Sequence, residues 1–199
     1  MSCPRTPRAR KKRALRRRVR NLPPRSVLLA EDETDLRLFP PVHAGWAVRG
    51  QPAGVTISGS NAKRVLFGSI NVWTGHRLFL TRHQQRGPDC EAFLDEIHEH
   101  YRGWHVALLL DEDSSHTAED SQSLADDYDI ELLWLPKRSP HLNPMDHLWR
   151  HGKEVMLANY QHASIDTQAE RFIGYLADLS AREALRKAGI LSGNFWLRT

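Results

Sequence analysis

Apolar positions along the chain fall into short runs that are separated by stretches with helical spacing. Each run holds four to nine residues and is bounded by Gly, Pro or charged positions, as expected of buried strands. The second and third runs are joined by Trp73-Thr74-Gly75, which predicts an antiparallel hairpin. The predicted strands are residues 27–30, 64–72, 76–81, 104–110 and 130–135.

Between the runs, apolar residues recur every three to four positions. Phe93, Leu94, Ile97 and Tyr101 predict a helix that begins near Pro88 and ends at Gly103. The alternation of strand and helix after residue 104 predicts parallel pairing there. We therefore expect an α/β fold with a mixed central sheet flanked by helices. Further helices are predicted at residues 121–128, after an Asn143 cap with Leu148, Val155 and Leu157 inside, and at 164–179 and 181–187.

The length and composition indicate one compact domain with an arm. The chain has 199 residues, 40% of them hydrophobic, and a mean hydropathy of −0.54, typical of an aqueous α/β protein. We divide it into an arm and linker, residues 1–25, and a domain, residues 26–199. No apolar run is long enough to span a bilayer, and no secretory signal is visible. The expected location is the bacterial cytoplasm, at the nucleoid, without membrane contact.

Charge is distributed unevenly between these two parts. Eleven of the 28 basic residues lie in residues 1–25, which contain no acid, so 17 bases face 24 acids in the remainder. Such a basic block is usually disordered alone, and Pro23-Pro24 would end any helix begun in it. It is suited to salt-sensitive contacts with DNA phosphates, although a solvated tail or an out-of-frame remnant is an open alternative. The candidate DNA-binding residues of the arm are Arg10, Lys11, Lys12, Arg13, Arg16, Arg17 and Arg18.

Cysteine and histidine positions do not indicate a zinc site. Cys3 and Cys90 lack CxxC spacing, so both are expected to be free thiols. The eleven histidines are scattered, and His98 and His100 would point to different faces of a helix.

Three carboxylates carry the strongest chemical signal. Asp32 follows the apolar run of SVLLAEDET, Asp111 ends the run VALLL, and Asp146 lies in SPHLNPMDHLW with 34 residues between it and Asp111. Ligands of open α/β sheets collect beyond the carboxyl ends of strands, and a helix can bring Asp146 there. Such a set could hold two divalent cations, Mg²⁺ or Mn²⁺, for phosphodiester chemistry. Taken singly, each has another interpretation: a strand-end turn, an Asx turn and a favourable charge at a helix N-terminus.

These segments resemble the DDE transposases of bacterial insertion sequences, within the mariner superfamily. The matching segments, in family order, are LPPRSVLLAEDET, WAVRGQP, FGSINVWTG, LLLDEDSSH and SPHLNPMDHLW. The resemblance implies a ribonuclease H-like fold, Mg²⁺-dependent cleavage at element ends and strand transfer into double-stranded target DNA, usually at TA. It also implies a homodimer.

The resemblance places the catalytic, metal-binding acids at Asp32, Asp111 and Asp146. It makes His116 and Asn143 supporting residues. Glu112 stands where this group commonly has Asn, so it adds charge that could attract a metal or displace a ligand. The third acid is Asp where many insertion-sequence relatives have Glu, whereas mariner relatives have Asp. Trp149 is expected in the core, and Trp46 and Arg49 are expected either to pack or to contact the DNA backbone.

Complete members of this group carry helix-turn-helix modules before the catalytic domain. Residues 1–20 contain too few apolar positions for such a module. We therefore expect end recognition to need a separate module, for instance from an upstream reading frame. Two alternatives stay open: an inactive or truncated DNA-binding remnant, and a structure-specific nuclease that cuts without joining.

Overall fold

The chain is described by a computed structural model that covers residues 6–44, 46, 48–50, 54–55 and 57–197. Cys3, and Ala47, Gln51 and Pro52 of the WAVRGQP segment, lie outside these residues. The elements are α1 (Pro7–Arg20), β1 (Ser26–Arg37), β2 (Lys63–Asn71), β3 (Arg77–Arg82), α2 (Gly87–His100), β4 (His105–Leu110), α3 (Ser114–Thr117), α4 (Glu119–Asp127), β5 (Ile130–Trp134), a 3₁₀ turn (Pro140–Leu142), α5 (Pro144–Met156), α6 (Ile165–Asp178) and α7 (Ala181–Lys187).

The five strands form one mixed sheet in the order β3-β2-β1-β4-β5. β1, β2 and β3 pair antiparallel, while β1, β4 and β5 pair parallel. This arrangement confirms the predicted hairpin and the predicted parallel crossovers. Four of the five strands lie within one residue of their predicted bounds.

The first strand is the exception, because it is much longer than its apolar run. β1 continues through the acidic residues to Arg37, paired throughout with β2. Pairing with β4, by contrast, ends at Ala30 and Leu109. Asp32 therefore lies inside a strand. The prediction that it lies at a strand end is wrong. It occupies the point where β1 extends beyond its parallel neighbour.

Period-two alternation along β1 divides its side chains between two cores. Leu28, Ala30 and Leu36 belong to one core, under α1, α5, α6 and α7. Val27 and Leu29 belong to the other, under α2 and α4. The sheet is thus covered on both faces, as parallel strands require.

The basic arm is helical where we had predicted disorder. α1 begins with Pro7 in its first turn and with the Thr6 side chain accepting a hydrogen bond from Ala9 N. Leu15 is buried in the first core, with Val19 and Leu22 packed against it. These apolar positions give the helix a face that packs on the domain. The composition of the arm does not indicate this face.

Helix α5 lies unusually close to the sheet. Gly68 of β2 makes this possible, since a Cβ at that position would lie 2.7 Å from Trp149 Cη2 and 2.8 Å from Met145 Cε. Trp149 is buried, as predicted, between Phe79 and Phe172 at centroid distances of 5.7 and 5.9 Å. The inner face of α5 and the turn after it includes Leu148 and Leu157, but the prediction for Val155 was wrong. Val155 lies at the margin of that face and is 53% exposed.

Candidate active site

Asp32 and Asp111 are brought together by the register of two parallel strands. Ala30 and Leu109 are the last residues that pair between β1 and β4. Asp32 lies two positions after Ala30, and Asp111 lies two positions after Leu109. Asp111 is the first residue after β4 and its side chain is 59% exposed. The two carboxylates therefore stand at matching positions where the parallel pair opens.

Asp146 reaches the same place through the start of α5. Asn143 caps that helix, accepting a hydrogen bond at Oδ1 from Met145 N at 3.0 Å, and donates from Nδ2 to Glu31 O at 2.6 Å. Trp149 Nε1 donates to Asp32 O at 3.3 Å. These two side chains tie the first turns of α5 to the acidic part of β1, and Asn143 fixes the start of the helix that carries Asp146.

Asp32 and Asp111 lie at an open cleft. Its volume is about 420 Å³. Asp32, Asp111 and Asn143 line it together with the loop after β5. The other lining residues are Glu112, Asp113, Leu135, Pro136, Lys137, Arg138, Ser139 and Pro140.

Negative charge in this cleft is only partly compensated. Burial raises the pKa of Asp32 well above its usual value, and the charges of Glu31, Glu33, Asp146 and Asp111 raise it further. The one ion pair of Asp146 among the described residues is with Arg150 on the next turn of α5, at 2.6 Å. A perturbed carboxylate in a cleft is a frequent mark of a functional site.

A second acidic cluster lies on the opposite face of β1 and is closed to solvent. His116 Nε2 lies 3.2 Å from Glu31 Oε2 and 3.0 Å from Glu33 Oε1, and all three side chains are at most 7% exposed. Burial lowers the pKa of His116, but the charge of Glu31 and the hydrogen bonds to Asp111, Glu31 and Glu33 more than reverse this effect, so its pKa is raised. Burial, and then the charge of Glu33, raises the pKa of Glu31 to about 7 although His116 opposes this shift. The imidazolium is the counter-ion of this buried acidic pair.

Ligand atoms of Glu31, Glu33 and His116 are close enough to hold a metal ion. We assign the cluster a structural role because its three side chains are almost fully buried, out of reach of a hydrated cation, and the imidazole contacts both carboxylates directly. It is linked to the open cleft, since His116 Nδ1 lies 3.4 Å from Asp111 Oδ1 and 3.3 Å from Asp111 O. The hydrogen bond from His116 is the largest cause lowering the pKa of Asp111. His116 therefore orients Asp111 and keeps it ionised.

Comparison with known proteins identifies the family. The sequence model described as "DDE superfamily endonuclease" matches residues 27–168. The chain belongs to the DDE superfamily endonuclease family. It is also 27% identical over 137 residues to the insertion element IS630 uncharacterized 39 kDa protein of Shigella sonnei, a match that covers 68% of this chain and 40% of that protein.

Solved structures of this DDE family fold confirm the predicted ribonuclease H-like architecture. A Mos1 transposase paired-end complex with the left transposon end aligns with a TM-score of 0.71 and 18% identity over 94% of this chain and 59% of that one. The Mos1 transposase catalytic domain with raltegravir and Mg aligns with a TM-score of 0.64 and 17% identity, over 95% of this chain and 89% of that one. The chain thus spans less than two thirds of the length of the curated relative and of the full transposase chain that it matches.

Membership of the DDE family implies a divalent metal, and the residues present fit one. The open cleft offers carboxylate oxygens, which are hard donors, and burial together with the charges of neighbouring acids raises the pKa of Asp32. A bound cation would relieve that repulsion. Asp111, which His116 keeps ionised, is suited to the same ion.

The extra acid of this DDE domain, Glu112, is neutralised within the molecule. Lys11 Nζ lies 2.5 Å from Glu112 Oε1, and Lys137 Nζ lies 3.2 Å from Glu112 Oε2. The hydrogen bond from Lys11 is the largest cause lowering the pKa of Glu112. Glu112 therefore joins the basic helix to the rim of the cleft. Asp113 instead accepts a hydrogen bond from Ser115 N and begins α3, while its own N–H donates to Asp111 Oδ1 at 3.0 Å, the predicted Asx turn.

Several predicted DNA-binding residues contact other parts of the chain. Arg18 pairs with Glu131 at 2.7 Å, Arg16 donates to Trp196 O, and Lys12 lies 5.5 Å from the Trp196 ring centroid. The remaining candidates, Arg10, Arg13, Arg17 and Arg49, are exposed. Trp46 is also fully exposed, so the alternative that it packs is wrong.

Sequence reasoning missed three residues of the site. Glu31 and Glu33 flank Asp32 in the segment SVLLAEDET. Because β1 continues through all three residues, the side chains of Glu31 and Glu33 lie on the face of the sheet opposite to that of Asp32. Lys153, on α5, is close enough for Asp35, Asp32 and Asp146 to raise its pKa, although burial lowers it overall. Its position two turns after Asp146 was the available signal.

Two further expectations have outcomes within the described residues. Cys90 is a free, buried thiol, as predicted, and burial raises its pKa to about 12. In the described part of the chain, no helix has both the length and the apolarity needed to cross a bilayer.

Proposed function

We propose that this chain is the catalytic part of an insertion-sequence transposase that cleaves DNA at element ends and transfers strands into target DNA. The supporting observation is that Asp32 and Asp111 line one open cleft, with Asp146 close enough for its charge to raise the pKa of Asp32, which burial raises most. Family membership supports the same chemistry. Phosphoryl transfer suits such a cleft because most of the catalysis is positioning and charge stabilisation.

Within this proposal, Asp32, Asp111 and Asp146 would hold two Mg²⁺ ions, which Mn²⁺ could replace. Such a pair, when bound, would lower the pKa of an attacking water or 3′-hydroxyl and stabilise the leaving oxyanion. The chain's own groups prepare the site: His116 orients Asp111, and Asn143 fixes the helix that carries Asp146. Lys153 lies beside the acids, where it can contact a phosphate.

The proposed partners are double-stranded DNA, both element ends and target, and a second copy of the chain. Structures with this fold include a Mos1 paired-end complex and a strand transfer complex, which support DNA as the substrate class. A separate helix-turn-helix module would supply end recognition. Action at the bacterial nucleoid follows from the substrate and belongs to the same proposal.

The test is nicking of supercoiled plasmid by the purified chain with Mg²⁺ or Mn²⁺. The Asp32→Ala, Asp111→Ala and Asp146→Ala variants run beside it, and each is checked for folding by circular dichroism. Metal-dependent nicking that all three variants lose is the expected result. If a folded variant nicks at the full rate, that residue is not a catalytic acid. Salt-sensitive binding without nicking favours the inactive remnant.

A further inference from the structure

Helix α1 has two basic faces, one in contact with the rest of the chain and one exposed. One face is docked: Lys11 pairs with Glu112, Arg18 with Glu131, and Arg16 with a backbone carbonyl. These partners lie on the catalytic domain, so those charges are consumed inside the molecule. The buried Leu15 lies on the same docked side.

The opposite face carries an arginine ridge, which we define as Arg10, Arg13, Arg17 and Arg20. All four side chains are exposed, and none has an ion pair or hydrogen bond among the described residues. They line one shallow groove of about 400 Å³ together with Ala14. Their spacing of three, four and three residues places them in one row about 15 Å long.

A row of four unpaired guanidinium groups is unfavourable in isolation, because like charges at this spacing repel one another. The repulsion is relieved by a partner with a regular line of negative charge. Duplex DNA is such a partner, since its backbone carries closely spaced phosphates that guanidinium groups bind bidentately. The absence of side-chain aromatic groups in this groove favours backbone contact over base stacking.

The row of ridge arginines runs along α1 toward the end of the helix that lies near the catalytic cleft. Arg18, near the C-terminal end of α1, pairs with Glu131 at the start of β5, while Lys11, near the N-terminal end, pairs with Glu112 beside Asp111. The helix therefore runs antiparallel to β5. Arg10 is therefore at the end of the row that lies nearer the cleft, one residue before Lys11, which contacts Glu112 at the rim.

We propose that the arginine ridge of α1 binds the phosphate backbone of duplex DNA and guides it to the catalytic cleft, while the docked face fixes its direction. The inference rests on the proposed function for the identity of the cleft. It divides the basic arm into a structural half and a DNA-binding half. Lys11, Arg16 and Arg18 belong to the structural half.

The experiment measures binding of a fluorescein-labelled DNA duplex to the full chain by anisotropy, in EDTA, between about 50 and 200 mM salt. The ridge variant replaces Arg10, Arg13, Arg17 and Arg20 with Gln, which preserves helix propensity. The matched control replaces four other exposed arginines, Arg86, Arg171, Arg182 and Arg186, with Gln and has the same net charge. Thermal denaturation confirms that each variant folds.

The ridge variant is expected to flatten the slope of log K against log salt by about 3 to 4, since each phosphate contact contributes about 0.9. The control should keep nearly the full slope. Lys replacements of all four ridge residues should keep it as well, because the slope depends on charge. Equal losses in ridge and control variants, or an unchanged ridge slope, would overturn the inference.

A structured RNA duplex of the same length serves as the competing partner. Ridge-dependent binding that prefers this RNA over DNA would also overturn the proposal. Because EDTA removes divalent cations, the measured DNA binding does not depend on metal-dependent cleavage. If the salt slope depends on the ridge but the chain never nicks plasmid, the inference stands and the proposed function is rejected. If the chain nicks plasmid but the salt slope does not depend on the ridge, the proposed function stands and the inference is rejected.

Discussion

The two faces of β1 carry the same kind of side chain in opposite states. On one face, Asp32 lines an open cleft with Asp111, and its pKa is raised by burial and then by the charges of neighbouring acids, Asp146 among them. On the other, Glu31 and Glu33 are buried against His116. The acids of the closed face have a buried counter-ion within the chain, whereas Asp32 on the open face has no ion pair among the described residues.

This difference separates a structural acidic cluster from the acids that we propose to be catalytic. Proximity of ligand atoms alone would select Glu31, Glu33 and His116 as the metal site. Solvent access and charge balance select the other face, because a hydrated cation must enter and substrate must reach it. The two faces remain connected, since His116 contacts both Glu31 and Asp111.

The largest expected effect comes from neutralising the open face. Asp32→Asn should reduce metal-dependent nicking to background, because the cation site loses a charged ligand. In EDTA the same variant should be at least as stable as the parent, because the raised pKa shows that the charged form is disfavoured in the folded state. Thermal denaturation with and without Mg²⁺ checks this, since the parent alone should gain stability from the ion. A clear loss of stability in EDTA would contradict the comparison.

Removing the counter-ion of the closed face should instead destabilise the fold. His116→Gln leaves Glu31 and Glu33 buried without a positive partner, which typically costs about 3 to 5 kcal/mol of unfolding free energy. Urea denaturation measures the change. His105→Gln is the matched control, because His105 lies 3.2 Å from Glu131 at a more exposed site and should cost about 1 kcal/mol or less. Equal costs for the two variants would remove the distinction between the faces.

The seating of α5 on the open face is tested at Gly68. Gly68→Ala should cost about 1 to 3 kcal/mol, because the new methyl group overlaps Trp149 and Met145. It should also slow nicking by displacing the helix that carries Asp146. Gly174→Ala is the control, since a Cβ there meets open space within α6, and this change should be neutral or stabilising by up to about 1 kcal/mol. A neutral Gly68→Ala would show that α5 can shift without loss.

The smallest effect is expected at the ion pair of the open face. Arg150→Gln breaks the contact with Asp146, but the Arg150 side chain is 57% exposed. Solvent screening limits such pairs, so the unfolding free energy should change by about 0.5 kcal/mol or less in urea titrations. A loss comparable to that of His116→Gln would mean that the open face, too, depends on an internal counter-ion.

Much of the fold follows from local pattern. The strands after β1 were predictable because buried runs with turn residues at their ends have few alternative structures. The first strand was predicted only at residues 27–30, since Glu31 to Asp35 look unsuited to a strand until β2 pairs with them. Helix α1 was also missed, because one buried leucine and a few ion pairs, invisible in composition, stabilise a segment that would otherwise repel itself.

The site shows the same division. Asp32, Asp111 and Asp146 were recognisable because each lies at a fixed offset from an apolar run or a proline-defined helix start. Their alignment across β1 and β4 depends on register, which local sequence does not specify alone. The state of Glu112, held by Lys11 from a distant helix, required the tertiary structure.

The sequence by itself determined the order of strands and helices, the three acids and the excess of basic charge at one end. These depend on neighbours within a few residues, where periodicity and turn chemistry act. Tertiary structure decided which acids are open and which are paired, and which arginines are consumed and which are free. Burial and charge compensation are set by residues far apart in the chain, so they exist only once β1 lies between its two cores.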